Sequence, residues 1–134
     1  MDVKEINRRT IAQFRAGGEI DGMQRDRLIL LTTTGRSSGA PYTTPMMFHR
    51  DGDRLLIVAS NIGAPRHPDW YLNLRKDPHV TVEVGAETYP ALAIPLTGED
   101  RARTWAMLKN TYPFFAEHEM ATSRVIPVVA LTRA

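Results

Sequence analysis

Apolar positions recur along this chain with two periods. Near the start, Val3, Ile6, Thr10 and Phe14 fall three and four residues apart and Gly17-Gly18 closes the run, which predicts a loosely amphipathic helix over residues 3–16. Past residue 26 the period shortens. Arg27–Thr34 (RLILLTTT) is dense in branched residues and reads as a strand, Gly35–Gly39 (GRSSG) as a turn and Thr43–Arg50 as a second strand. Asp51-Gly52 marks a tight hairpin into a third strand, Arg54–Ser60. Asn61–His67 is a loop. Pro68 stands at a first helical position, where its missing N–H would be unpaired anyway, and the helix it opens runs to about Lys76, ahead of Asp77-Pro78. Val80–Val84 alternates as a strand, Gly85 turns, and Glu87–Leu96 forms another strand. Thr97 or Gly98 then opens a helix whose first turn holds Glu99 and Asp100, where carboxylates favour the helix dipole. Trp105, Met107 and Leu108 give that helix its apolar side. Tyr112-Pro113 breaks it, a short helical piece follows through Met120, and Ile126–Thr132 (IPVVALT) is the final strand.

About six strands, three or four short helices and a predominance of hairpins predict a mainly-β α+β chain, a six-stranded antiparallel barrel with helices packed outside. Residues 1–26 form an N-terminal helix and linker, and residues 27–134 the barrel. A Rossmann sheet is excluded, because no GxGxxG follows a strand and helices do not alternate with strands.

Composition narrows the chemistry. With 134 residues, one domain buries roughly two-thirds of its surface and needs no cross-links. The absence of cysteine rules out disulfides, zinc–thiolate sites and a cysteine nucleophile, and fits a cytoplasmic location. A net charge of +2 is too small for a dedicated nucleic-acid surface. Fourteen of the 17 basic residues are Arg, which suits bidentate contacts to phosphate or carboxylate. No apolar run approaches the ~20 residues that span a bilayer, and Lys4, Arg8 and Arg9 precede no long apolar stretch of the signal-peptide kind. The basic face of the first helix could touch anionic lipid at the inner membrane; an ordinary solvated face explains the same residues.

Two segments carry candidate chemistry. In GRSSG, two glycines permit positive φ and close backbone approach, Arg36 supplies a fixed charge, and Ser37 and Ser38 supply short donors, so the turn can form an anion-binding concavity. A plain hairpin loop uses the same residues. In the helix opened by Pro68, Trp70 offers a flat face, and Asn73, three residues on along the same side, could hydrogen-bond a ring carbonyl. Trp70 as a core anchor is the competing reading. The four histidines, at 49, 67, 79 and 118, show no i,i+4 metal pair and read as surface or internally satisfied. There is no GxxxxGK[ST] and no GxSxG, so nucleoside-triphosphatase and serine-hydrolase readings fail. Tyr112, Phe114, Phe115 and His118 form an aromatic cluster that either lines an apolar mouth or packs as core.

The ordered series LLTTTGRSSGAP, Pro45, ASNIGA, PDWYLNL, TYP and RVIPVV resembles the deazaflavin-dependent nitroreductase family, over about four-fifths of the chain from Leu28. The resemblance implies a split β-barrel, related to flavin-binding barrels, that binds the deazaflavin coenzyme F-420. It further implies hydride transfer from the reduced coenzyme to a small apolar, electron-poor acceptor: a quinone, a nitroaromatic or an activated alkene. Carried onto this chain, it assigns Arg36, Ser37 and Ser38, with Tyr42, Thr43, Thr44, Pro45, Met46 and Met47, to the phosphate-bearing tail and one edge of the ring. Val58, Ala59, Ser60 and Asn61 become the wall beside the ring. Asp69, Trp70, Tyr71, Leu72 and Asn73 close over the coenzyme, and Phe115, Tyr112 and His118 line the acceptor pocket.

The chain departs from that family pattern at three positions. Ser37 and Tyr42 stand where many relatives carry Lys and Arg, which makes the tail site less basic, although one exposed phosphate contact is worth only ~1 kcal/mol. Phe115 stands where the nitroreductase that names the family has a tyrosine, so a proton for the reduced product must come from Tyr112, His118 or water. A deazaflavin carries the redox chemistry, so the protein supplies position and a dry pocket, which agrees with a chain lacking a triad or metal cluster. Two alternatives share the fold: an FMN-dependent reductase, and a non-enzymatic carrier of cofactor or lipid. Because split barrels often dimerise through a sheet face while several relatives of this family are monomeric, the resemblance implies either a monomer or a homodimer.

Overall fold

In the computed structural model, residues 3–21 and 24–134 are described. Residues 1, 2, 22 and 23 of the expected N-terminal helix and linker segment lie outside them. The helix α1 is Val3–Ala16. The strands are β1 (Leu28–Thr34), β2 (Pro41–Met47), β3 (His49–Asp51), β4 (Arg54–Val58), β5 (His79–Val84), β6 (Glu87–Pro95) and β7 (Val128–Arg133). Helix α2 (Asp69–Lys76) lies between β4 and β5, and α3 (Gly98–Thr111) and α4 (Phe114–Met120) lie between β6 and β7.

All seven strands belong to one sheet in the order β2-β1-β5-β6-β7-β4-β3, with every neighbouring pair antiparallel. The fold is a curled antiparallel half-barrel of seven strands, not six. The seventh arises because the expected strand Thr43–Arg50 is two strands broken at Phe48. β2 pairs with β1, from Leu28↔Met47 to Thr34↔Pro41, whereas β3 pairs with β4 at the opposite edge of the sheet. Hydrophobic pattern cannot reveal such a break, since both halves remain extended and only the pairing partner changes. One residue joins the two edges, so the sheet must curl until they approach each other.

The curl creates an interior. Ile29 and Leu31 of β1, Leu55 and Ile57 of β4, Val80, Val82 and Val84 of β5, Ala91 and Ala93 of β6, and Val129 and Leu131 of β7 point into it, joined by Tyr71 and Leu74 from α2. The alternate residues of β1, Leu28 and Leu30, face outward against Phe14 of α1 and Ile20. This double burial explains why Leu28–Leu31 (LILL) is continuously apolar rather than alternating. Outside the far edge, Trp105 and Leu108 of α3, Phe115 of α4, Ile126 and Val128 form a third cluster.

Helix α1 has the expected bounds but only half the expected burial. Thr10 and Phe14 are buried, while Val3 is 69% exposed and Ile6 39%. Its C-terminal end is secured by Arg25, which donates to the carbonyls of Gln13 (3.2 Å), Phe14 (2.6 Å) and Gly18 (3.2 Å), and by the two-pronged Arg15–Glu83 pair to β5 at 3.0 and 2.8 Å. Pro68 precedes α2 in an extended conformation (ψ 151°) and is the residue before the first helical position rather than that position itself. Leu31→Ala would leave a hole inside the half-barrel, and we expect it to lower the stability measured by chemical denaturation by about 2–5 kcal/mol.

Candidate functional site

The GRSSG turn is built tightly. Gly35 N–H donates to the Ala40 carbonyl at 2.7 Å, Gly39 N–H donates to the Gly35 carbonyl at 2.9 Å, and Gly39 has φ +72°. Arg36 faces α2. Its backbone N–H and Nη1 both donate to Asn73 Oδ1 (3.2 and 2.9 Å), and Nη2 donates to Asp69 Oδ1 at 3.2 Å. Asn73 Nδ2 donates to Thr33 Oγ1 at 3.2 Å, and Lys76 Nζ donates to the Arg36 carbonyl at 2.6 Å. Asn73, expected to meet a ring carbonyl, is buried and its amide is engaged by the protein at both ends. It is the joint that fixes α2 against the turn.

Between turn, strand and helix lies a cleft of about 420 Å³, lined by Thr33, Gly35, Arg36, Ser37, Ser38, Tyr42, Thr43, Thr44, Asp69, Trp70 and Asn73. The Tyr42 hydroxyl is 3.3 Å from Ser38 Oγ, and its ring lies so close over Gly35 that a Cβ there would fall 2.5 Å from Cε2. Trp70 is half-buried; it packs on the interior cluster, meets Tyr71 edge-on (6.4 Å, 87°) and lines the cleft with the remainder of its surface. The core-anchor and flat-face readings of this tryptophan therefore coexist. Arg36 shares its charge with exposed Asp69, a pairing worth ~1 kcal/mol or less in water. Of the other expected residues, Tyr71 and Ala59 are buried, Leu72 packs on the interior, and Pro45 sits mid-strand opposite Leu30. They shape the wall without lining this cleft.

Farther along β2 the lining changes from polar to apolar. Met46 and Met47 enter a second pocket of about 180 Å³, which Val58, Ser60, Tyr112, Phe114, Phe115 and His118 also line, together with Phe48, His49, Leu56 and Leu108. Phe115 is only 4% exposed, wedged among Trp105, Tyr112 and Phe114 with centroids 5.8, 5.8 and 4.6 Å away, so it forms the floor. Phe114 stands at the open side. The floor is held from behind. Glu119 of α4 accepts from Trp105 Nε1 and from Lys109 Nζ of α3, contacts that hold its carboxyl below the usual range. Two polar pairs border this apolar space: His49 Nδ1 with the Tyr112 hydroxyl at 2.9 Å, and His118 Nδ1 with Ser60 Oγ at 3.1 Å. Sequence reasoning missed His49, whose partner lies 63 residues away and leaves no local signal.

The loop from Ala59 to His67 links the two spaces; Ser60 faces the pocket, while Asn61 lines a groove that shares Thr44, Asp69 and Trp70 with the cleft. Asn61 (φ 48°) and Ile62 (φ 56°) are left-handed, a conformation that for a β-branched residue needs outside support. Gly63 (φ +78°) lies so close to α4 that a Cβ would meet the His118 carbonyl at 2.8 Å. Arg124 supplies the remaining support, donating to the carbonyls of Ala64 (2.9 Å), Ala59 (3.0 Å) and Ser60 (2.6 Å) and to His67 Nδ1 (3.1 Å). This strut was also absent from the sequence reading. Because Arg124 can only donate, His67 must accept and is neutral in this arrangement. Burial lowers the His67 pKa, and Arg124 and Arg75 lower it further.

A family model described as F420H(2)-dependent quinone reductase matches residues 4–133. The chain belongs to that family. Among its relatives, the F420H(2)-dependent quinone reductase of Mycobacterium tuberculosis is 43% identical over 108 residues, covering 78% of this chain and 72% of that protein. A solved F420-H2 dependent reductase superposes with a TM-score of 0.70 at 37% identity, covering 78% of this chain and 93% of the other. A second solved structure, described only as a domain-swapped dimer, gives a TM-score of 0.74 at 34% identity over 92% of this chain and 95% of the other. The family match includes α1, which the sequence resemblance, starting at Leu28, had left out. The protein is accordingly an oxidoreductase whose hydride donor is reduced coenzyme F-420 and whose acceptor is of quinone type. No helix among the described residues is long and apolar enough to cross a membrane.

Protonating His67 removes an acceptor and sets a second cation beside Arg124. Its folded pKa lies below the ordinary 6.5, so the unfolded chain takes the proton first on acidification. Stability from this contact is complete above about pH 6.5 and declines as the pH falls toward the lowered folded value. Thermal melts across this interval should fall more steeply for wild type than for His67→Gln, which keeps an acceptor and does not titrate. Equal slopes would contradict the assignment.

Proposed function

We propose that the cleft and the apolar pocket are the two ends of one coenzyme-and-acceptor site on a split β-barrel of the deazaflavin-dependent nitroreductase type. The observation that carries this reading is the continuity of β2, which presents Tyr42, Thr43 and Thr44 to the cleft and Met46 and Met47 to the pocket. An elongated ligand with an anionic tail and a flat ring suits that change of lining. Arg36, Ser37 and Ser38 hold the tail phosphate, with Arg66 on the neighbouring groove adding charge. Trp70 packs against the ring, and Val58, Ser60 and Asn61 border its other side. Asp69 orients Arg36, and Asn73 keeps turn and helix in register, so both act on the coenzyme through the turn.

Bound reduced F-420 supplies a two-electron hydride. The chain's part is to seat the acceptor within van der Waals reach, roughly 3–3.5 Å between reacting atoms, and to keep water away. Met47, Phe114 and Phe115 do this from three sides of the pocket, and His49, Ser60, Tyr112 and His118 supply the polar atoms at its border. A quinone fits, being flat and apolar with an oxygen at each end. We place the enzyme in the cytoplasm, acting as a monomer or a homodimer, with the basic face of α1 making at most a weak contact with anionic lipid.

Fluorescence titration with F-420 tests the site, with FMN titrated in parallel. Tighter F-420 binding supports the reading, and no binding at tens of micromolar refutes it. Tighter FMN binding favours a flavin reductase on the same fold, and F-420 binding without menadione turnover favours a carrier. Trp70→Ala should weaken F-420 binding more than Arg36→Ala in high salt, because stacking is unscreened and the charge contact is not. The reverse order would move the ring away from Trp70.

A further inference from the structure

We propose that His49, acting through the Tyr112 hydroxyl, delivers the proton that completes reduction of the acceptor. This rests on the reading of the apolar pocket as the acceptor's seat. A quinone that receives a hydride becomes a hydroquinone monoanion, having gained two electrons and one proton, and it still lacks a second proton. In a pocket floored by Phe115 and walled by Met47, Val58 and Phe114, that anion is poorly solvated, so a donor at hand matters. Among the described residues, the hydroxyl and imidazole groups lining the pocket are those of Ser60, Tyr112, His49 and His118.

Tyr112 is the better acid of the two hydroxyls for this purpose. A phenol passes a proton to a phenolate-like oxygen with little driving-force penalty, whereas an aliphatic alcohol does not. Its hydroxyl lies 2.9 Å from His49 Nδ1, with the rings edge-on at 5.7 Å and 82°. His49 is only half-buried on β3, so its ring is open to proton exchange with solvent. If His49 carries its proton on Nδ1, it donates to the tyrosine oxygen and leaves the tyrosine hydrogen free to point into the pocket.

The step then balances. The Tyr112 O–H bond breaks as the hydroquinone O–H bond forms, the tyrosine oxygen takes the proton from His49 Nδ1, and Nε2 takes a proton from solvent. Exchange with water returns the ring to the Nδ1–H form before the next turnover. His118 and Ser60, paired with each other at 3.1 Å, serve to orient the acceptor.

Two acceptors separate this role from simple packing. Menadione needs a proton after the hydride; the N-methylphenazinium cation becomes neutral on hydride transfer and needs none. His49→Gln and Tyr112→Phe should each slow menadione turnover by about tenfold or more, with N-methylphenazinium turnover held within about twofold, which also shows that the variants fold and bind coenzyme. Equal losses with both acceptors, or unchanged menadione turnover, would overturn the proposal. So would an acceptor-selective loss in His118→Gln in place of His49→Gln. A second readout needs no turnover: long-range ¹H–¹⁵N spectra of the coenzyme-free protein at pH 8 should show His49 protonated at Nδ1, and an Nε2–H tautomer would refute the relay. Wild-type protein that oxidises reduced F-420 with neither acceptor would instead defeat the underlying reading of the pocket.

Discussion

One residue separates two strands that lie at opposite edges of the sheet, and the curl of the half-barrel follows from that. Phe48 joins β2, paired with β1, to β3, paired with β4, and its N–H still reaches the Arg27 carbonyl at 3.3 Å. An open seven-stranded sheet would hold those edges some 30 Å apart at the usual spacing of ~4.8 Å between strands. The chain cannot cover that distance in a single residue, so the sheet rolls up. Rolling creates the interior that Ile29, Leu31, Leu55, Ile57, Val129 and Leu131 fill, and it brings the β1–β2 turn beside α2. The same bend lets one edge segment serve a polar cleft at one end and an apolar pocket at the other.

Three joints then hold the site on this frame, two of them across long stretches of chain. Asn73 ties the GRSSG turn to α2, Arg124 ties the Ala59–His67 loop to the segment before β7, and Glu119 ties α4 to α3. Each engages donors or acceptors that would otherwise be buried without partners, which makes such joints costly to break. Arg54 does the same on the outer face, donating to Asp100 twice at 3.0 Å and to Asp51 at 2.9 Å, so that α3 is fastened to the β3–β4 hairpin. The rigidity of the pocket's aromatic side depends on that fastening as well as on apolar packing.

The elements were legible in the sequence because their signals are local: α1 has the bounds its spacing predicts, and β1, α2, α3 and α4 lie within a residue or two of theirs. The polar cleft was legible too, since Arg36, Ser37, Ser38 and Trp70 sit in short motifs. What local pattern could not show is pairing across long separations. The break at Phe48, the His49–Tyr112 contact and the Arg124 strut each depend on which distant segment lies alongside. Asn73 shows the same limit differently. Its place on the helix face was read correctly, but its amide is used by Arg36 and Thr33, a demand visible only once the turn is folded against the helix.

The division of β2 into two linings has an evolutionary consequence. The polar end is a hydrogen-bonded chain from Asp69 through Arg36 and Asn73 to Thr33, whereas the far end is bounded by side chains of α4, which contribute no bond to that chain. Substitutions at 114, 115 or 118 can therefore reshape what the second pocket admits while the first keeps its geometry. Phe115, buried among Trp105, Tyr112 and Phe114, gives this floor packing and no polar atom of its own. On the proposed division of the two spaces, a scaffold arranged in this way can diversify its acceptors without renegotiating its coenzyme.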